Sequence, residues 1–296
     1  MNTENPTREF VDLTPKMALA FLEKNPGNRG LSSGRVAALS AMIKRGGWVL
    51  NGQPIIIDED GNLLDGQHRC AAVVASGETV RTLMVRGVPR STFTTIDSGR
   101  HRSGADVLSA GGIPNANRVA AVARLAWQYD MGVLGSRSYE ARPSNADISD
   151  TVREYPDILE AVKCVDRDHH MKNSPVTFLL WATMREAPER AAPFWDAVRT
   201  GAGLRRGSPA LKLRDTLLDN RNRVRKSDLR DILEFCLRAW VCHLSGLDVY
   251  ALKPGILDND GMRNSKGDVF IPMTQDEARP VTQQLKESRE RAIRRA

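Results

Sequence analysis

The sequence predicts an α+β protein: a small mixed α/β unit at the N-terminal end, followed by an all-helical unit. Three observations carry that reading. A compact β-branched run, Pro54-Ile-Ile-Ile57, lies between helical patterns within the first hundred residues. Beyond Gly111-Gly-Ile-Pro114, apolar residues recur at helical spacing in one segment after another. The chain has 296 residues, enough for two domains of the usual ~100–200. The boundaries expected are 12–111 for the α/β unit, 112–252 for the helical unit and 253–296 for a weakly ordered C-terminal extension.

Taken in order, Thr14 to Lys24 carries Met17, Ala20 and Phe21 at the spacing of a short amphipathic helix. Ser33 to Arg45 repeats the pattern through Val36, Leu39, Met42 and Ile43, and Gly46-Gly47 stops it. The Pro54–Ile57 run is bounded by Asn51-Gly52 and by Asp58-Glu-Asp60-Gly61, which makes it a buried strand entering a tight turn. Asn62 to Leu64 then returns antiparallel, Gln67 to Ser76 is a short helix ended by Gly77, and Val80 to Val85 is a strand. In the second half, helices are expected at Asn115–Tyr129, Asn145–Glu154, Asp157–Val165, Pro175–Arg185, Ala191–Thr200, Ser208–Leu218 and Lys226–Leu244. Prolines, glycines and serines punctuate them. Phe178, Trp181, Phe194, Trp195, Phe235 and Trp240 sit at helical spacing among aliphatic neighbours and read as core.

Composition narrows the class. Hydrophobic residues at 41% and charged residues at 27% exclude a wholly disordered or fibrous chain. Forty-three Lys and Arg against 36 Asp and Glu leave +7, a balance that favours acidic partners such as nucleic acid or nucleotides. Cys70, Cys164, Cys236 and Cys242 form no C-x-x-C pair, so neither a zinc ribbon nor a disulfide framework is indicated. Reduced, buried thiols in a cytoplasmic protein are expected instead. No secretory signal is seen, and no apolar run of membrane-spanning length.

Chemistry concentrates in Leu63-Leu-Asp-Gly-Gln-His-Arg69, at a strand-to-helix junction. The first amides of a helix lack intrahelical partners, and with the helix dipole they can hold an anion. Gly66 would admit a ligand close to the backbone. Arg69 offers a fork for phosphate oxygens, and His68 can donate to the same anion or move a proton. Asp65 could cap the helix or help hold a divalent ion.

Residues 12 to about 110 resemble the ParB/sulfiredoxin-like superfamily, through Asn28-Arg29, the helix ending at Gly46, the Pro54–Ile57 strand, Leu64-Asp-Gly-Gln-His-Arg69, Ala71-Ala72, Gly77 and Thr82–Val85. The D-G-Q-H-R string followed by Ile96-Asp-Ser-Gly-Arg-His-Arg102 resembles phage and mobile-element proteins. The resemblance implies a nucleoside triphosphate, CTP or ATP, with Mg, held by Arg29, Gly66, Gln67, His68, Arg69 and Arg102. Asp65 and His68 are the catalytic candidates if the triphosphate is hydrolysed or transferred. Gln67 stands where relatives carry a reactive cysteine or a carboxylate, and Cys70 follows Arg69 inside the helix, so binding is expected to survive better than hydrolysis. The activity expected is a ParB-like nucleotide-binding protein acting on or along DNA. A phosphoryl-transfer enzyme or nuclease of the same fold, and a non-catalytic phage regulator or DNA-modification accessory protein, are the alternatives. Nucleotide, DNA and a second copy of the chain are the expected partners. Arg86 and Arg100 would add charge at the mouth of the site.

In the helical half, Arg205 to Arg230 holds nine Lys or Arg against Asp215, Asp219 and Asp228. Lys212, Arg221, Arg223, Arg225 and Lys226 are the DNA-binding candidates, through phosphate neutralisation. Asn145 to Tyr155, followed by another helix, could be half of a helix-turn-helix. His169-His170 lacks a third ligand at metal spacing and reads as a solvated helix end.

Overall fold

The computed structural model describes residues 6–26, 28, 30–96, 102–136, 138–222, 228–253 and 270–283. By its internal contacts the chain falls into two units, residues 1–101 with 138–142, and residues 102–137 with 143–296. The division lies at 101/102, whereas the sequence reading placed it at 111/112. The difference is helix α4 (Gly104–Ala110), which packs on the second unit's α5 (Ala116–Asp130) and α6 (Asn145–Glu154).

In the first unit, β1 (Thr7–Leu13), α1 (Pro15–Glu23), α2 (Ser33–Lys44), β2 (Pro54–Asp58), β3 (Leu63–Asp65), α3 (Gln67–Ser76) and β4 (Val80–Val88) follow in chain order. The strands form one mixed sheet in the order β1-β4-β2-β3. β1 runs antiparallel to β4, β2 parallel to β4, and β3 antiparallel to β2. A tight turn allows the β2–β3 return: the Asp58 carboxylate accepts from the backbone amides of Asp60 (3.0 Å) and Asn62 (2.6 Å). Thr14 caps α1 with Pro15 at its first position, and Ser32 caps α2.

Period-2 alternation then assigns the faces of the sheet. Leu13, Ile55, Ile57, Val80 and Met84 point to one face and are buried with Ala18 of α1, Ile43 of α2 and Val73 of α3. The opposite face carries Phe10, Ile56, Leu83 and Val85, none of them fully buried. Strand β1 was not expected from the sequence. Leu13 is its sole buried residue, so its apolar alternation is too thin to read.

The second unit continues with α7 (Ile158–Cys164), α8 (Ser174–Glu186), α9 (Pro188–Thr200), α10 (Pro209–Asn222) and α11 (Leu229–Leu244). Ser103 with Asp106 and Ser144 with Asp147 form reciprocal capping boxes at the starts of α4 and α6. All six aromatic residues expected in the core are buried there, with Phe178 and Trp240 wholly inside. Trp195 Nε1 donates to Thr183 Oγ1 (2.8 Å), which lets a polar ring edge sit in an apolar interior.

Three expectations need correction. Residues 270–283 are no loose extension: Ile271, Ala278 and Val281 are buried in this core, and Trp240 Nε1 donates to the Pro272 carbonyl (2.7 Å). His170 is buried rather than solvated, its Nε2 3.1 Å from Arg214 Nη1. Cys164 is exposed, while the other three thiols are buried. No helix among the described residues is long and apolar enough to cross a membrane.

Candidate functional site

The expected cradle lies where β3 passes into α3. Gly66 is the N-cap of α3, in the left-handed region at φ 105°, and no side chain caps the helix. Asp65 is the last residue of β3 and therefore not the cap. The site's glycine is required for two reasons. Its φ disfavours any L side chain, and an added Cβ would overlap Ile55 Cδ1 and lie 3.5 Å from Arg69 Nη2. The space beside Gly66, expected to admit a ligand, is thus filled by the chain's own Ile55.

The next three side chains are each tied to a different part of the first unit. Gln67 Oε1 accepts from Asn25 Nδ2 (3.1 Å), and Asn28 Nδ2 in turn donates to Asn25 Oδ1 (2.5 Å) and to the Leu63 carbonyl (2.8 Å). His68 Nε2 accepts the backbone N–H of Ser32, the α2 cap, at 3.1 Å. Arg69 Nη2 donates to the Pro54 carbonyl and to Asp65 Oδ2, both at 2.8 Å. Gly66, Gln67 and His68 are buried, and the Arg69 side chain is 15% exposed. Arg69 Nη1 is buried and has no hydrogen-bond partner among the described residues.

This arrangement bears on chemistry. A histidine whose Nε2 lone pair is spent on a backbone amide cannot take a substrate proton at that nitrogen without releasing α2. The Asp65 carboxylate is half-exposed but paired with Arg69. Among the described residues, no three His, Cys, Asp or Glu side chains are grouped to hold a metal ion. Cys70 is fully buried, and burial pushes its thiol up to about 12, which removes it from thiolate chemistry.

A second anchor was missed by the sequence reading. Asp58 has no exposed side-chain surface and pairs with Arg90 Nη1 at 3.0 Å. Arg90 also donates to the Pro26 carbonyl (2.9 Å), and its backbone amide to Glu59 (2.8 Å). Burial acts to raise the Asp58 carboxyl, but hydrogen bonds from Asn62, Arg90 and Asp60 outweigh it and hold the group below its ordinary value. The acidic turn Asp58-Glu-Asp60 with a basic residue past β4 was the available signal, at a separation of 32 residues.

Of the remaining candidates, Arg86 is a described residue of the first unit and is engaged away from this junction. Arg86 pairs with Glu9 (3.0 Å) and lies over the Phe21 ring. Arg102 is exposed and belongs to the second unit, its carbonyl accepting from Asn145 Nδ2 (2.8 Å). Arg29 and Arg100 lie outside the described residues, as do Arg223, Arg225 and Lys226. Lys212 is half-buried on α10, and Arg221 lies on the same helix.

Part of the basic run is used internally. Arg205 forks onto Asp248 (2.5 and 2.8 Å), Arg214 donates to the Val198 carbonyl (2.9 Å) and to that of Arg199, and Arg230 pairs with Glu234 (3.2 Å). These three guanidiniums are committed to the fold of the helical unit. On the first unit, a groove of about 770 Å³ runs between α2 and α3, lined by Val36, Ala37, Lys44, Ala71 and Ala75, and none of the expected site residues among the described ones lines it.

Comparison with protein-family models, with curated proteins and with solved structures gave no match.

Proposed function

We propose that the chain is a ParB-like, non-catalytic, DNA-associated protein of phage or mobile-element type, in which the D-G-Q-H-R string closes the fold of the first unit. One observation carries this reading. Gln67, His68 and Arg69 each hold a separate segment, the loop at Asn25, the α2 cap Ser32 and the β2 residue Pro54, so that the residue types expected to act on a ligand are occupied by the chain itself. The net charge of +7 supports an acidic macromolecular partner. The test is twofold. His68→Gln should leave no activity to lose, and release of phosphate or nicked DNA by the parent chain, abolished in that variant, would establish an enzyme instead. DNA binding should fall steeply with salt, and Arg223→Glu with Arg225→Glu should weaken it.

A second reading, nucleotide binding at the same junction, is favoured by Arg69 Nη1. A buried cationic donor without an acceptor is costly, and a phosphate oxygen would satisfy it. Titration calorimetry with CTP, ATP and GTP, with and without Mg, separates the two readings. Saturable heat that is lost in Arg69→Lys supports the nucleotide, and no heat with any of the three leaves the non-catalytic reading.

A further inference from the structure

Strand β1 lies at one edge of the sheet, bonded to β4 on one side and to no strand on the other among the described residues. Its seven residues, Thr7-Arg-Glu-Phe-Val-Asp-Leu13, leave a row of backbone donors and acceptors able to pair with another strand. Arg8, Phe10 and Asp12 alternate onto one face, the face opposite the helices, and all three are exposed. Phe10 is 56% exposed, an uncommon setting for an aromatic side chain. In the register with β4 it stands beside Leu83, with Val85 and Ile56 in the neighbouring row.

We propose that β1 is the dimer interface of this protein: two copies join β1 to β1 antiparallel, extending two four-stranded sheets into one of eight. The occupant is a second copy because the strand is complementary to itself. A two-fold axis normal to the sheet keeps the helices of both copies on one side, and it must pass through a residue opposed to its own twin. Centred on Phe10, the pairing sets Phe10 against Phe10 and places Arg8 of each copy opposite Asp12 of the other. Asp12 already faces Arg81 at 3.1 Å, so each carboxylate would lie between two guanidiniums.

The neighbouring registers lack this match. Centred on Glu9, the pairing opposes two glutamates and sets Arg8 against Phe10. Centred on Val11, it sets Phe10 against Asp12, Glu9 against Leu13 and Arg8 against Thr14, two charged-to-apolar pairings and no ion pair. Centring on Phe10 leaves Glu9 against Val11 as its one charged-to-apolar pairing. Charges on an edge strand ordinarily prevent association. Here their order permits one partner in one register. The two Phe10 rings bridge the apolar rows of the two sheets, so each would be covered by the other copy.

The experiment is sedimentation velocity on the full chain over a range of concentrations. The unaltered protein should show a concentration-dependent dimer. Arg8→Asp, which opposes two carboxylates at each pair, should raise the dissociation constant about tenfold or more. Arg8→Asp combined with Asp12→Arg should restore association, because the pairing is complementary again. Cross-linking checks the register in a Cys164→Ser background. Phe10→Cys should form an intermolecular disulfide on oxidation, since opposed residues in an antiparallel pair lie about 4.5–5.5 Å apart. Glu9→Cys should not. A chain monomeric at every concentration overturns the proposal, as does a dimer indifferent to Arg8→Asp, or cross-linking through position 9 rather than 10.

Discussion

Asp65 and Arg69 meet across the β3–α3 junction, four residues apart, with Arg69 Nη2 2.8 Å from Asp65 Oδ2 and 2.8 Å from the carbonyl oxygen of Pro54. One guanidinium nitrogen therefore ties the first turn of α3 to the end of β3 and to the start of β2. An exposed ion pair would contribute little. A largely buried one that also satisfies a strand carbonyl contributes more, because removing it leaves both acceptors without that donor.

The first prediction follows directly. Arg69→Ala should destabilise the first unit by about 1–3 kcal/mol, a fall of several degrees in its melting midpoint for a unit of this size. Urea or thermal unfolding measures it. An unchanged midpoint would mean that Arg69 is held in reserve for a ligand and does not tie the strands together.

Gly66 supports the same junction from the backbone side. Gly66→Ala places a side chain at φ 105° and drives its Cβ into Ile55 Cδ1. Strain of this kind costs on the order of 1–3 kcal/mol before the overlap is added. In a double-mutant cycle with Ile55→Val, which removes Cδ1, the combined loss should be smaller than the sum of the single losses. Additive losses would place the whole cost in the dihedral angle.

The contrast between what was legible and what was not has a physical basis. α2, β2, β3 and α3 could be placed to within a residue or two, because Gly46, the Pro54–Ile57 run, the acidic turn and Gly77 are local signals. β1 was missed because an edge strand with a single buried residue carries almost no alternation. The D-G-Q-H-R string stood out as a set of residue types, but its meaning depended on partners far away in sequence. Gln67 and Asn25 are 42 residues apart, His68 and Ser32 are 36 apart, and Arg69 and Pro54 are 15 apart. Periodicity reports which face is apolar. It cannot report that a histidine is already bonded.

Acid should act on the first unit through Asp58. Its carboxyl is held below the ordinary aspartate value of 3.8 in the folded state, so the unfolded chain takes up the proton first as pH falls. The contribution of this group is fully present above about pH 4 and is lost as pH drops through the folded value. Asp58→Asn should flatten the acid limb of a stability profile measured between about pH 2 and 5. A variant as acid-sensitive as the parent would assign that limb to other carboxylates.

Thiol labelling should discriminate sharply among the four cysteines. Cys164 is exposed, whereas Cys70, Cys236 and Cys242 are buried. Burial pushes the Cys70 thiol up to about 12 and that of Cys242 up to about 11, and it raises Cys236 as well. Iodoacetamide at neutral pH should therefore modify Cys164 alone in the folded protein, and all four after denaturation. Mass spectrometry of the peptides reads the result. Early labelling of Cys70 would mean that α3 opens from the sheet on the timescale of the reaction.

His243 should make the helical unit sensitive to a milder acidity than the first unit. Its ring lies 4.9 Å from that of Phe194 and is stacked 5.7 Å from that of Trp240, near the end of α11. Desolvation is the main cause that lowers its pKa, and the Arg190 charge adds to it, against an opposing backbone hydrogen bond at Arg190. The folded unit thus favours the neutral ring, while the unfolded chain protonates near the ordinary imidazole value of about 6.5. Stability from this residue is complete above that pH and declines as pH falls below it. Trp127, Trp181, Trp195 and Trp240 belong to the helical unit and Trp48 to the first, so tryptophan fluorescence reports mainly the former. Melting followed by fluorescence should weaken from about pH 6.5 downward, before the Asp58-dependent loss begins. His243→Phe keeps an aromatic ring between Phe194 and Trp240 but binds no proton, and it should remove that part of the slope. Parallel slopes for the variant and the parent would clear His243 of the effect.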